Sequence, residues 1–107
     1  GAHAPGQVPV NVTDIGAHFY VGNHHKWLCS VRGSGFLFVR DEYWRRRIHP
    51  AAITAAYTDA SRDTLVDEFA WVGTRDYAPY LAVTAALDFR HAYGDAAVRA
   101  YNDGLCA

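Results

Sequence analysis

The sequence predicts an α/β fold, a parallel or mixed sheet with helices. Two short apolar runs, residues 17–21 and 36–39, read as strands, the second being an uninterrupted apolar run of the kind covered on both faces. The period then changes. Tyr77, Tyr80, Leu81, Thr84, Leu87 and His91 recur at spacings of three and four, which predicts an amphipathic helix with that face inward. Two strands cannot complete a sheet by themselves, so their partners are expected outside these 107 residues. Residues 1–107 thus read as part of one domain, an internal fragment of a longer protein.

Residues 1–9 hold Gly1, Pro5, Gly6 and Pro9, which favours a turn-rich loop. Thr13 or Asp14 is expected to cap a single helical turn ending at Gly16. The strand at 17–21 delivers Asn23, His24, His25 and Lys26 at its C-terminal end, and Gly33 and Gly35 punctuate a loop over 29–35. Asp41 caps a short helix over 42–47, which His49-Pro50 ends because a residue before proline is pushed out of the α region. Residues 51–72 show neither period and read as loop with a short strand near 69–72. Asp76 is the natural N-cap of the long helix, Pro79 fits its first turn and Gly94 stops it. A second helix follows over 95–103, with Val98, Tyr101 and Leu105 as its apolar contacts.

Half of the residues are apolar and 14% aromatic, enough for a real core. The formal charge of −1 and pI near 6.6 give no long-range attraction to nucleic acid or to an anionic membrane. Arg45-Arg46-Arg47, beside Trp44, reads as the polar face of the short helix. The sequence has no apolar stretch of the ~20 residues a membrane helix needs and no signal-peptide pattern, so a cytoplasmic location is expected. Cys29 and Cys106 lack the spacing of zinc or redox pairs and read as buried free thiols.

Of the ten basic residues only Lys26 is a lysine. An arginine cannot form an imine with an aldehyde because its guanidinium stays protonated; a lysine amine can, once its setting lowers its pKa. Other chemistries find less support. His24 and His25 with His3 invite a metal, but adjacent residues on an extended segment point to opposite sides, and no carboxylate lies nearby, so no metal is expected. Gly33-Ser34-Gly35 lacks the spacing of a hydrolase elbow, and neither a dinucleotide nor a Walker phosphate turn is present. What remains is a lysine beside donors suited to phosphate: Asn23, His25, and Gly73-Thr74 ahead of a helix.

Four ordered blocks carry a resemblance. Gly1-Ala2-His3-Ala4-Pro5-Gly6, Phe19-Tyr20-Val21-Gly22-Asn23-His24-His25-Lys26-Trp27-Leu28, Arg32-Gly33-Ser34-Gly35-Phe36-Leu37 and Gly73-Thr74-Arg75-Asp76 together resemble class V aminotransferase-like enzymes of pyridoxal phosphate fold type I, and most closely their isopenicillin N epimerase-like branch. The resemblance runs from Gly1 to about Arg90. It implies that the chain is part of the large cofactor-binding domain, a mixed, mostly parallel sheet with flanking helices, that the cofactor is pyridoxal 5'-phosphate, and that the substrate is an amino acid.

The resemblance also assigns roles. Lys26 matches the lysine that forms the Schiff base with the cofactor aldehyde and moves the substrate α-proton. Asn23 and His25 match positions that help hold the cofactor phosphate, and His3 matches the residue against the pyridine ring or its phenolic oxygen. Thr74 matches a threonine that reaches the phosphate in the partner subunit, which implies a homodimer. The family's aspartate at the pyridine nitrogen falls immediately before Gly1, and its phosphate-binding turn, ring-stacking aromatic and carboxylate-binding arginine fall in other parts. Transamination, racemisation or epimerisation, and C–S or C–C lysis all stay open. Neither cysteine matches a desulfurase loop, which weighs against desulfuration. A non-catalytic interaction or scaffold piece is the alternative from another class.

Overall fold

A computed structural model of the chain describes residues 1–58 and 65–107. In order, the elements are α1 (Val12–Ile15), β1 (Phe19–Asn23), β2 (Gly35–Val39), α2 (Glu42–Arg45), a 3₁₀ turn (Ala55–Thr58), α3 (Leu65–Ala70), α4 (Ala78–Tyr93) and α5 (Asp95–Cys106). The part of the expected loop that falls on 59–64 lies outside the described residues.

The α/β class holds, but β1 and β2 pair antiparallel, from Phe19 opposite Val39 to Asn23 opposite Gly35. The mostly parallel sheet is therefore not what these two strands form. The reason is the connection: residues 24–34 hold no crossover helix, and a parallel return needs a crossover of roughly a dozen residues or more, usually helical. One face of the pair is open, since Val21 and Leu37 are exposed, so β2 is not covered on both sides as expected. The N-terminal loop runs beside β1. The carbonyl of Gly1 lies close to Gly22, and Gly6 packs on the backbone of Trp27, so the two segments travel in the same direction.

Gly6 is required where it stands. Its φ is +86°, and a Cβ there would collide with the Trp27 carbonyl oxygen. Gly6→Ala is expected to cost about 2–4 kcal/mol from left-handed backbone and overpacking together. Gly104→Ala is the control: it lies in α5 with open space around it and should be stabilising by about 0.5–1 kcal/mol through helix propensity. Denaturant midpoints of the two variants measure the contrast, and similar midpoints would refute it.

The caps partly follow expectation. Asp41 Oδ1 accepts from the Trp44 N–H at 3.1 Å, and Trp44 then packs on His18 and Phe19, fixing α2 to the start of β1. Helix α1 is capped by Asn11 rather than Thr13 or Asp14, because the Asn11 side chain both accepts from the Thr13 N–H and donates to Asp14. Arg46 pairs with Glu42 and Arg47 lies over the Tyr43 ring, so these two arginines make local contacts on the short helix. The strand expected near 69–72 is instead the end of α3: Leu65 and Phe69, four apart, are half-buried on one helical face. Glu68 ties that helix back to His49 and Thr54.

Helix α4 has the expected period and a shifted phase. Leu81 is 78% exposed, and Thr84, Leu87 and His91 also face outward, whereas Pro79, Val83, Ala86 and Arg90 form the inward stripe; of the expected face only Tyr77 and Tyr80, in the first turn, line a cavity. Small side chains let the helix approach closely: the position of a Gly33 Cβ is 2.9 Å from Pro79. Asp76 accepts from the Ala78 N–H at 2.8 Å, one residue outside the formal cap at Tyr77, and Gly94 ends the helix. Helix α5 runs to Cys106, with Val98 half-buried but Tyr101 and Leu105 exposed, contrary to expectation. Among the described residues no helix is long and apolar enough to cross a membrane.

Arg90 holds the ends together. It is 4% exposed, and its guanidinium donates to the Gly6 carbonyl at 2.6 Å and to Asp95 at 2.9 Å. A planar fork with several donors suits this double contact. The result joins the N-terminal loop to the α4–α5 corner.

Candidate functional site

Lys26 sits on the loop that joins β1 to β2, and that loop is closed at both ends of a small hydrogen-bonded frame. Beyond the last strand pair, the His24 N–H reaches the Ser34 carbonyl at 3.4 Å, while His24 Nδ1 and Ser34 Oγ lie 3.0 Å apart. Inside it, Ser30 N–H donates to the His24 carbonyl at 2.9 Å and Cys29 N–H to the Lys26 carbonyl at 3.0 Å. Cys29 has φ of 64°, unusual for a residue with a side chain, and this left-handed step turns the chain directly after Trp27-Leu28.

The Lys26 side chain is exposed, and among the described residues no acidic group pairs with it. Its amine is thus available. Residues 19–36 contain no Asp or Glu at all, and Asn23, His25 and Lys26 lie within four residues of one another, side-chain types that can donate to an anion such as a phosphate. Asn23 closes β1 half-buried, and His25 is half-buried beside the lysine. His3 is exposed on the N-terminal loop, between Gly1 at the Gly22 end of β1 and Gly6 at Trp27, which brings its segment alongside the lysine loop.

Thr74 lies on a different segment. It is exposed in the connection between α3 and α4, where Trp71 stacks on Tyr77 at 5.8 Å. Its neighbour Arg75 lines a cavity of about 610 Å³ with Gly22, Phe36, Leu65, Phe69 and Tyr77, and none of the five sequence-derived site residues lines that cavity. Both cysteines are free, as expected, but exposed rather than buried, because Cys29 lies on the open loop and Cys106 on the last turn of α5. Among the described residues no three His, Cys, Asp or Glu side chains gather as metal ligands.

Sequence reasoning missed His24 and Ser34 as a pair. Their signal is register: only once Asn23 faces Gly35 do residues 24 and 34 become the next rung. Burial costs the charged form of His24 its hydration and lowers its pKa below 6.5. The neutral ring is therefore favoured in the folded loop, a stabilisation that is present above pH 6.5 and lost as pH falls through the lowered folded value. Acidification below 6.5 is expected to loosen residues 24–34, read by amide exchange alongside an NMR titration of the His24 ring. Exchange in this loop that stays flat through the ring's titration would contradict the expectation.

Comparison with known proteins then supplies names. A rice protein (Oryza sativa subsp. japonica) provisionally named L-cysteine desulfhydrase 2 is 40% identical over 89 residues, covering 82% of this chain and 18% of its own length. L-cysteine desulfhydrase of Arabidopsis thaliana is 34% identical over 88 residues, with the same shares. Isopenicillin N epimerase of Streptomyces clavuligerus is 33% identical over 112 residues, covering 94% of this chain and 28% of its own length. The chain is a relative of desulfhydrases and epimerases. It spans between about a fifth and about a quarter of the length of these relatives. A continuous match over 82% of the chain cannot miss its middle, so Lys26 and Thr74 fall inside the stretch shared with the desulfhydrases. No family profile matches the chain, and no solved structure matches it significantly.

Proposed function

We propose that this chain is part of a pyridoxal phosphate-dependent enzyme of the class V aminotransferase-like group, acting on an amino acid through Lys26. The observation that carries the reading is the exposed Lys26, without an acidic partner among the described residues, on a loop fixed by hydrogen bonds within a segment, residues 19–36, that holds no carboxylate. The similarity to L-cysteine desulfhydrases and isopenicillin N epimerase supports it. When bound, the cofactor supplies an aldehyde and an electron-withdrawing ring.

The remaining work falls to side chains. Lys26 Nζ, when deprotonated, takes the proton from the substrate Cα and later returns it. Asn23 and His25 donate hydrogen bonds to the phosphate, and Lys26 adds positive charge nearby until its amine is used. His3, on the adjoining loop, is proposed to lie against the ring. Thr74 is proposed to serve a partner subunit's site and carries the homodimer as part of the reading. Two free thiols suit a reducing compartment, so a cytoplasmic location belongs to it as well.

C–S lysis and epimerisation share removal of the Cα proton and differ in the step after it. The higher identity to desulfhydrases favours C–S cleavage of a cysteine-like substrate over epimerisation or transamination. The test is direct. The full-length protein is loaded with pyridoxal phosphate, reduced with borohydride and mapped by peptide mass; the label is expected on Lys26, and a protein labelled elsewhere with Lys26 free overturns the proposal. Sulfide release from L-cysteine, measured beside loss of optical activity in other amino acids, separates the chemistries.

A second reading draws on the exposed Leu81, Tyr101 and Leu105 of α4 and α5. Such faces favour association with further polypeptide, as a scaffold piece would. A self-associating full-length protein with no cofactor adduct would favour it.

A further inference from the structure

We infer that His24 and Ser34 form a clasp that positions Lys26, with His24 as a positioning residue; the role given to Lys26 rests on the proposed function above. The backbone bond between the two residues is long, 3.4 Å, so it closes the loop poorly by itself. The side-chain pair at 3.0 Å supplies the closure, and Ser34 is 6% exposed, which shields that contact from water. Phe36 lies against the imidazole, its ring centroid 5.7 Å away, and fixes the ring plane from the β2 side.

From that point the inner turn hangs on His24. Its carbonyl receives the Ser30 N–H, and Lys26, two residues on, receives the Cys29 N–H. An exposed lysine has a long stem with several free torsions, and fixing its backbone is what the loop can contribute to presenting the amine at one place. The neutral imidazole pairs with the Ser34 hydroxyl through Nδ1, accepting in one tautomer and donating in the other, so the clasp adds no second positive charge beside Lys26.

The experiment uses the full-length protein with His24→Ala, Ser34→Ala, the double variant, and His24→Asn, whose amide can replace the Nδ1 contact. Two readouts are needed: amide exchange across residues 24–34, and the rate at which added pyridoxal phosphate is trapped on Lys26 by borohydride. Each single alanine is expected to raise exchange about fivefold, the effect of one hydrogen bond. The double variant should do no more than either single, and His24→Asn should restore most of the protection. Trapping at Lys26 should slow in the alanine variants relative to label at the N-terminus and recover in His24→Asn. Unchanged exchange in the single variants overturns the clasp. Raised exchange with unchanged trapping overturns the positioning role while leaving the proposed function intact. A wild-type protein that is never trapped on Lys26 overturns the proposed function itself, and with it any role for the clasp in positioning that amine.

Discussion

Replacing Lys26 by arginine in the full-length protein is expected to abolish borohydride-trapped cofactor at that position and to lower turnover by at least the roughly 10²–10⁴-fold that a positioned acid–base group contributes. Arginine keeps the charge and much of the stem, yet its guanidinium neither forms an imine nor releases a proton at working pH. The variant therefore separates chemistry from electrostatics. If Lys26 served only to attract an anionic cofactor, Lys26→Arg would retain most of the binding and most of the turnover. Lys26→Ala should lose both, and a small external amine could then restore part of the proton transfer. Peptide mapping after reduction and steady-state turnover measure the two effects. Lys26→Arg turning over at more than a tenth of the wild-type rate would sink the assignment.

Arg90→Ala is expected to destabilise the fold strongly, by about 3 kcal/mol. Breaking a buried charged pair costs roughly 3–5 kcal/mol, and the lower end applies because Asp95 keeps nearly half of its side-chain exposure and can be solvated once abandoned. The loss also orphans the Gly6 carbonyl, which no longer receives its 2.6 Å donor. Arg90→Lys should recover only part of the loss, because a single ammonium cannot reproduce a planar fork that reaches both Gly6 and Asp95. Asp95→Asn should cost less than Arg90→Ala, since the arginine would keep its carbonyl acceptor. Chemical denaturation of the full-length protein ranks the three. Protease cleavage within residues 1–8 should rise in Arg90→Ala ahead of global unfolding, and an unchanged midpoint would contradict the argument. Because Gly6 packs on Trp27, the same change is expected to loosen the segment that carries His3 beside the lysine loop.

The residues that were legible in the sequence are those whose signal is local. Asp41 caps α2 and Gly94 ends α4 because capping and left-handed turns depend on a few neighbouring atoms. The period of α4 was legible for the same reason. Its phase was not: Leu81 and Leu87 carry the bulk, yet Val83, Ala86 and Arg90 carry the contact. A helix face is chosen by what approaches it, here the Gly33 and Gly6 loops, and those approaches favour small side chains and one forked donor. The antiparallel direction of β2 likewise comes from the short return through residues 24–34, which an apolar run alone does not reveal.

The candidate site divides along the same line. The sequence by itself determined that one lysine stands among neutral and cationic donors with no carboxylate in residues 19–36, and that this lysine is the amine to test. It also determined Asn23 and His25 as its near neighbours. Only the tertiary structure decided that the N-terminal loop with His3 runs beside the lysine loop and that His24 faces Ser34 across the neck of that loop. Chemistry that resides in one side chain is written in residue identity. The pairing of residues 10 or 84 positions apart is set by strand register and by packing, which arise only when distant segments close on one another.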